Sequence, residues 1–217
     1  MARKKNITKS FLVDAYMQYI LEHGHNPPSV YKFAKENNFE ESLFYQFFGS
    51  FEAIEQDVFA QFFRNTTSIL DQSADYQSYD ARTKLISFYY TFFEVLTANR
   101  SYVMVALKND KQSLKNLEKL KTLGCHFRDY VNSLEIDRID FQNSKIDKLQ
   151  EKTMAQSAWF QLLFTIKFWL EDNSPNFEKT DVFIEKSINT TFDLINTKPL
   201  ESVIDLGKFL FKQKMNY

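Results

Sequence analysis

Few side chains in this sequence are typed and spaced for bond-making chemistry. Glu22 and His25 stand at the Glu-x-x-His interval of di-iron bundles, but Gly24 lies between them and no second copy follows. His23, His126 and Cys125 add donors without ligand spacing, so neither a metal nor another cofactor is expected. The sequence holds no phosphate-cradling glycine loop, no Gly-x-Ser-x-Gly elbow and no zinc-protease helix motif, which points away from an enzyme. Binding chemistry remains. Arg3, Lys4, Lys5 and Lys9 form a basic arm suited to phosphates or a minor groove, and Lys32 and Lys35 follow on a short helical stretch. Glu40 and Glu41 are acidic, the type that accepts from cytosine N4 in a major groove. A second chemistry is apolar. Phe88, Phe92 and Phe93 with Trp159, Phe160, Phe164 and Phe168 either line a pocket for an apolar or isoprenoid-like ligand or fill a bulky core.

Helices must position these groups. Four Gly and four Pro in 217 residues are too few for the tight turns of a β-rich fold, so an all-α protein is expected. Its 23 Phe and 11 Tyr exceed what a Leu- and Ala-filled bundle needs. A first helix runs from Thr8 or Ser10 to His23, with Gly24 as its stop and Pro27 and Pro28 beyond. Ser29 caps a second helix with Val30, Phe33 and Ala34 on one stripe, and Asn37 and Asn38 end it in a tight turn. Phe39 plugs that turn. A third helix spans Glu40 to Phe48, and after Gly49 and Ser50 a fourth runs from Phe51 to about Leu70. A polar connector, Asp71 to Tyr79, leads to helices over Arg82 to Asn99, Tyr102 to Lys108, Ser113 to Leu134, Ser144 to Glu171, Phe177 to Asn196 and Leu200 to Met215. The natural division is a head, residues 1–56, and a larger body, residues 57–217.

Three short helices with a tight turn between the second and third form a helix-turn-helix, whose third helix enters the major groove while the second braces it. From Ser29 the sequence reads SVYKFAKENNFEESLFYQFFGSFEAIEQDVF, which resembles the signature of the TetR/AcrR regulators. Ser29 stands at the second helix's cap, Phe33 and Ala34 at its core positions and Phe39 at the apolar plug. Phe44, Tyr45 and Phe48 match the family's Leu-Tyr-x-x-Phe, and Ser50, Glu52 and Ile54 match the start of the next helix. The resemblance covers residues 7–60 and is architectural beyond them. Two departures stand out: Phe51 replaces a phosphate-meeting lysine, and Glu40 and Glu41 lead into the recognition helix. Residues 1–60 carry six Lys or Arg against eight Asp or Glu, whereas DNA-binding surfaces gain affinity by neutralising phosphates.

The resemblance implies a ligand-responsive, homodimeric transcriptional regulator acting as a repressor on a double-stranded DNA operator. It implies that Arg3, Lys4, Lys5, Ser29, Lys32, Ser42, Tyr45, Gln46 and Phe47 face DNA. Phe88, Phe92, Phe93, Trp159, Phe160 and Phe164 would line the site of a small apolar ligand. Phe168, Phe183, Ile184, Ile188 and Thr191 would pair two copies across a two-fold axis. A TetR-fold lipid- or isoprenoid-binding accessory protein that has lost DNA binding is the alternative, for which the acidic recognition helix and Phe51 are natural. The terminal helix, Leu200 to Met215, could touch a membrane surface or pack on the body; a membrane is not the expected partner. Asp14, Gln18 and Glu22 interrupt the first apolar stretch, so it does not read as a signal peptide, and Ala158 to Leu170 is too short to span a bilayer. With Cys125 as the lone cysteine, these features suit the cytoplasm.

Overall fold

Four helices begin where a short oxygen-bearing side chain caps them. Thr8 accepts from the Phe11 amide (3.1 Å), Ser29 from Lys32 (3.2 Å), Ser50 from Ala53 (3.3 Å) and Asp80 from Thr83 (2.7 Å), each satisfying one orphan amide of a first turn. The computed structural model describes residues 7–108, 117–136 and 144–195. Among them the elements are α1 (Lys9–His23), α2 (Val30–Glu36), α3 (Glu41–Phe44), α4 (Phe51–Asp71), α5 (Ala81–Ala98), α6 (Arg100–Lys108), α7 (Lys121–Ser133), α8 (Ser144–Glu171) and α9 (Glu178–Ile195). Single 3-10 turns occupy Tyr76–Ser78 and Pro175–Phe177, and no strand occurs among the described residues. The fold is all-α. The terminal segment from 196 to 217, including the Leu200 to Met215 helix read from sequence, lies outside the described residues.

The head is α1, α2, α3 and the first turns of α4. Gly24, at φ 71°, ends α1 in the left-handed conformation that glycine adopts without a Cβ clash. Asn38 (φ 58°) makes the turn between α2 and α3, and the Phe39 amide bonds the Ala34 carbonyl at 3.0 Å. The third helix is shorter than its sequence suggests. Regular α-helix covers Glu41–Phe44 alone; beyond it the Phe47 (3.0 Å) and Phe48 (2.9 Å) amides share the Phe44 carbonyl, tightening the chain before Gly49.

The expected boundary at 56/57 falls inside α4, an unbroken helix that serves both units. Its start packs on α1, and the rest packs against α5 and α7. The body continues with α8 on α7, and α9 on α5 and α8. The helix expected from Ser113 is broken at Leu120, whose amide bonds Leu117, and α7 begins at Lys121. The polar connector is anchored: the Tyr76 hydroxyl lies 2.6 Å from that of Tyr130, which itself donates to the Lys84 carbonyl at 3.1 Å.

The turn joining α8 to α9 is fixed by Asp172. Its buried carboxylate accepts from the amide and hydroxyl of Ser174 (2.8 and 2.7 Å) and of Thr180 (3.0 and 2.8 Å). Burial alone pushes this carboxyl up, yet the four hydrogen bonds together outweigh it and hold the group down at about 2. Asn176 (φ 51°) and Phe177 (φ 60°) then turn left-handed, so the last helix starts at Glu178 rather than at Phe177. For a bulky side chain that conformation costs about 1–2 kcal/mol. It is offset where the Arg100 guanidinium lies between the rings of Trp169 (4.4 Å) and Phe177 (4.3 Å).

Candidate functional site

The head presents one face to solvent. Phe33 and Phe44, both fully buried, meet edge to face at 6.3 Å and lock α2 to α3. Phe51, in the place of the phosphate-meeting lysine, stacks on Tyr16 (5.7 Å) and contacts the rings of Phe33 (5.7 Å) and Phe44 (5.5 Å). It closes the head's core instead of facing outward. On the opposite side Ser29, Lys32, Ser42, Tyr45, Gln46 and Phe47 are all exposed, with Tyr45 54% accessible. The structure therefore brings these six onto the outside of the head, while Arg3, Lys4 and Lys5 lie outside the described residues. Ser29 already spends a lone pair on capping α2. The acidic lead-in stays at this surface: Glu40 is exposed, and Tyr45 Oη donates to Glu41 Oε1 at 3.4 Å. Lys9, the last residue of the basic arm, is paired with Asp57 at 2.7 Å, a carboxylate shared with Arg64 at 3.1 Å.

In the body Phe88 and Phe92 are fully buried and stacked at 5.6 Å, and Phe93 and Trp159 are also buried. Phe127 touches Phe88 (5.4 Å) and Trp159 (6.3 Å), so these rings form one aromatic core. Its packing is tight where α7 crosses α8: a Cβ added at Gly124 would sit 3.0 Å from two Trp159 ring atoms. Within this core the Tyr89 hydroxyl is buried with no hydrogen-bond partner.

Phe160 and Phe164, expected on the inner wall, lie outside it. They are 53% and 66% exposed, and with Phe168 they make a ridge at intervals of four along the outer side of α8. Phe168 stacks on Phe183 of α9 at 4.8 Å, and Val182 is exposed nearby on α9. Gln161 donates to Ser187 (3.1 Å) and Thr191 donates to Gln161 (3.5 Å) beside this ridge. Ile184 and Ile188, expected at an intermolecular face, are fully buried within the chain's own core, where they hold α9 to the body. The sequence reading thus set Phe160 and Phe164 on the inner side of α8 and Ile184 and Ile188 on the outer side of α9, the reverse of where they stand.

A third place was missed. Where α1 meets α6 beside α4, a cleft of about 350 Å³ is lined by Ile20, His25, Glu55, Tyr102, Val105 and Lys119 among others. Tyr16 Oη lies 2.9 Å from Glu55 Oε1 and 2.8 Å from Asn26 Oδ1. Burial first, then the Glu55 charge, push the Tyr16 and Tyr102 hydroxyls well above the ordinary tyrosine range, so both stay protonated. Lys119 lies 3.6 Å from Glu55 and donates to the Ala106 carbonyl at 2.9 Å. A signal existed in the sequence: Glu55 falls on the Ile54, Val58, Phe59, Phe62 stripe, an acid on an apolar face.

Among the described residues no three His, Cys, Asp or Glu gather as metal ligands, and no helix is long and apolar enough to cross a membrane. No curated protein matches the chain. The family model described as tetracyclin repressor-like, C-terminal domain, matches residues 84–210, which covers the aromatic core, the α8 ridge and more than half of the sequence. With the all-α fold and that match together, the chain belongs to the TetR family of regulators.

Proposed function

We propose that the protein is a homodimeric, ligand-responsive repressor that binds a double-stranded DNA operator in the cytoplasm. The observation that carries this reading is the two-sided α3: Phe44 locks one side into the head while Ser42, Tyr45 and Gln46 face solvent on the other, as a groove-reading element needs. Phe160, Phe164, Phe168 and Phe183 supply an apolar face for a second copy, with Thr191 at its rim. Such a dimer would present two α3 elements about 34 Å apart, one helical turn of DNA. A small apolar ligand with one hydrogen-bonding atom would enter by parting the packed rings of Phe88, Phe92, Phe93 and Trp159, where that atom would meet the Tyr89 hydroxyl. Its binding energy would favour a dimer whose heads no longer match the operator.

The test is retention of the protein's own promoter fragment, measured against salt. Affinity should fall steeply as salt rises, and Tyr45→Ala or Gln46→Ala should weaken it by about 1–3 kcal/mol without loss of fold. Retention unchanged in both variants refutes the assignment. The acidic surface at Glu40 and Glu41 and the inward Phe51 favour a second reading, a TetR-fold lipid- or isoprenoid-binding accessory protein that does not bind DNA. That reading calls for weak DNA binding at every salt concentration and for lipid extractable from the purified protein.

A further inference from the structure

The head divides its exposed side chains by type. Lys32 and Lys35 stand exposed on α2, and from Glu36 to Phe63 the chain carries no Lys or Arg. Cations on the bracing helix suit phosphates, contacts that fix a protein's register on a duplex without reading its sequence. Reading falls to α3 and the tightened turn after it, which hold no cation.

Gln46 lies in that turn and is exposed, whereas Phe44 two residues before it is fully buried. Groups around it are engaged within the head: Tyr45 Oη donates to Glu41, and the Phe47 and Phe48 amides share the Phe44 carbonyl. The Gln46 side-chain amide bonds none of the described residues.

The chemistry of that amide names a base. It ends in a carbonyl oxygen that accepts and, beside it, an NH2 that donates. In the major groove guanine shows two acceptors, cytosine one donor, and thymine one acceptor next to a methyl group. Adenine alone shows a donor, N6, next to an acceptor, N7, and so engages both ends of the amide at once. Guanine is disfavoured twice over. Its commonest readers, Arg and Lys, are absent from α3, and the Glu40 and Glu41 carboxylates at the start of α3 accept only, as guanine's own groove atoms do.

We propose that Gln46 selects an adenine in each operator half-site, its carbonyl accepting from N6 and its NH2 donating to N7. This assignment rests on the DNA-binding reading above and gives that reading a base identity.

The experiment keeps the two apart. The full chain is incubated with a pool of random duplexes, and those retained are sequenced; low salt keeps weakened variants measurable. An adenine should recur at a fixed place in each half-site. Each adenine of the selected duplex is then replaced in turn by 7-deazaadenine, which keeps its pairing with thymine but exchanges N7 for C–H. At one position the parent should bind about tenfold more weakly. Gln46→Ala, folded by circular dichroism, should bind the unmodified duplex about as weakly and lose nothing further on the analogue. Gln46→Glu, which can only accept, should move the preference at that position from adenine to cytosine in a fresh selection. Half-sites without a recurring adenine, no position sensitive to the analogue, or a sensitivity that Gln46→Ala retains overturns the assignment while DNA binding stands. A pool that yields no retained duplex at any salt overturns both.

Discussion

Neutralising the Asp172 carboxylate should destabilise the protein by an amount the structure lets us work out. The group sits at about 2 in the folded chain, against roughly 3.9 when unfolded, so the ionised carboxylate, with its hydrogen bonds set against its burial, contributes a net of about 2 kcal/mol at neutral pH. Because the folded value lies below the unfolded one, this contribution is complete above about pH 5. It falls as pH drops through 4 and is gone once the folded carboxyl protonates near 2. Asp172→Asn preserves shape but must turn an NH2 toward the donors of either Ser174 or Thr180, leaving a donor facing a donor. Urea denaturation at pH 7 should therefore show a loss of about 2–3 kcal/mol with unchanged m-value, and the variant should lose the parent's stability slope between pH 4 and pH 2. A midpoint unchanged at pH 7, or an acid slope identical in the two proteins, would show that the Asp172 network does not hold the α8–α9 turn.

The exposed ridge and the close helix crossing give two further tests. Phe164→Arg places a charge on the most exposed phenylalanine of the α8 ridge; on the proposed dimer, sedimentation should find a dimeric parent and a monomeric variant with unchanged helix content. A variant dimer as tight as the parent's would exclude the ridge as the interface. Gly124→Ala should lower stability by about 1–3 kcal/mol despite alanine's better helix propensity, since Trp159, packed on Phe127, has little room to retreat. A raised melting temperature would show that α7 and α8 have slack.

The head was legible because its determinants are local. The Ser29 cap, the Gly24 stop, the Asn38 turn and the paired Phe33 and Phe44 each announce themselves within a few residues. The length of α3 was not, since it ends in a tightened turn where the Phe47 and Phe48 amides share the Phe44 carbonyl. In the body the difficulty was orientation. From Met154 onward α8 is apolar on nearly every side, so spacing alone could not say that Trp159 and Ile166 turn inward while Phe160 and Phe164 turn out. The same ambiguity put Ile184 and Ile188 on the wrong side of α9. Recognition divided in the opposite sense: motif residues between 7 and 60 carried the resemblance, whereas the family match falls on residues 84–210. The cleft at Glu55 went unread because its other members come from α1, α6 and the approach to α7, far apart in sequence.

The unbroken course of α4 has a mechanical consequence. At about 1.5 Å per residue its 21 residues make a lever roughly 31 Å long, so a tilt of about 10° imposed at the body end would swing the other end by about 5 Å. In the dimer proposed above, a displacement that size in each half would be enough to throw two reading heads out of phase with neighbouring grooves. Small rearrangements among the aromatic rings can thus be geared up mechanically, with no hinge inside the shaft.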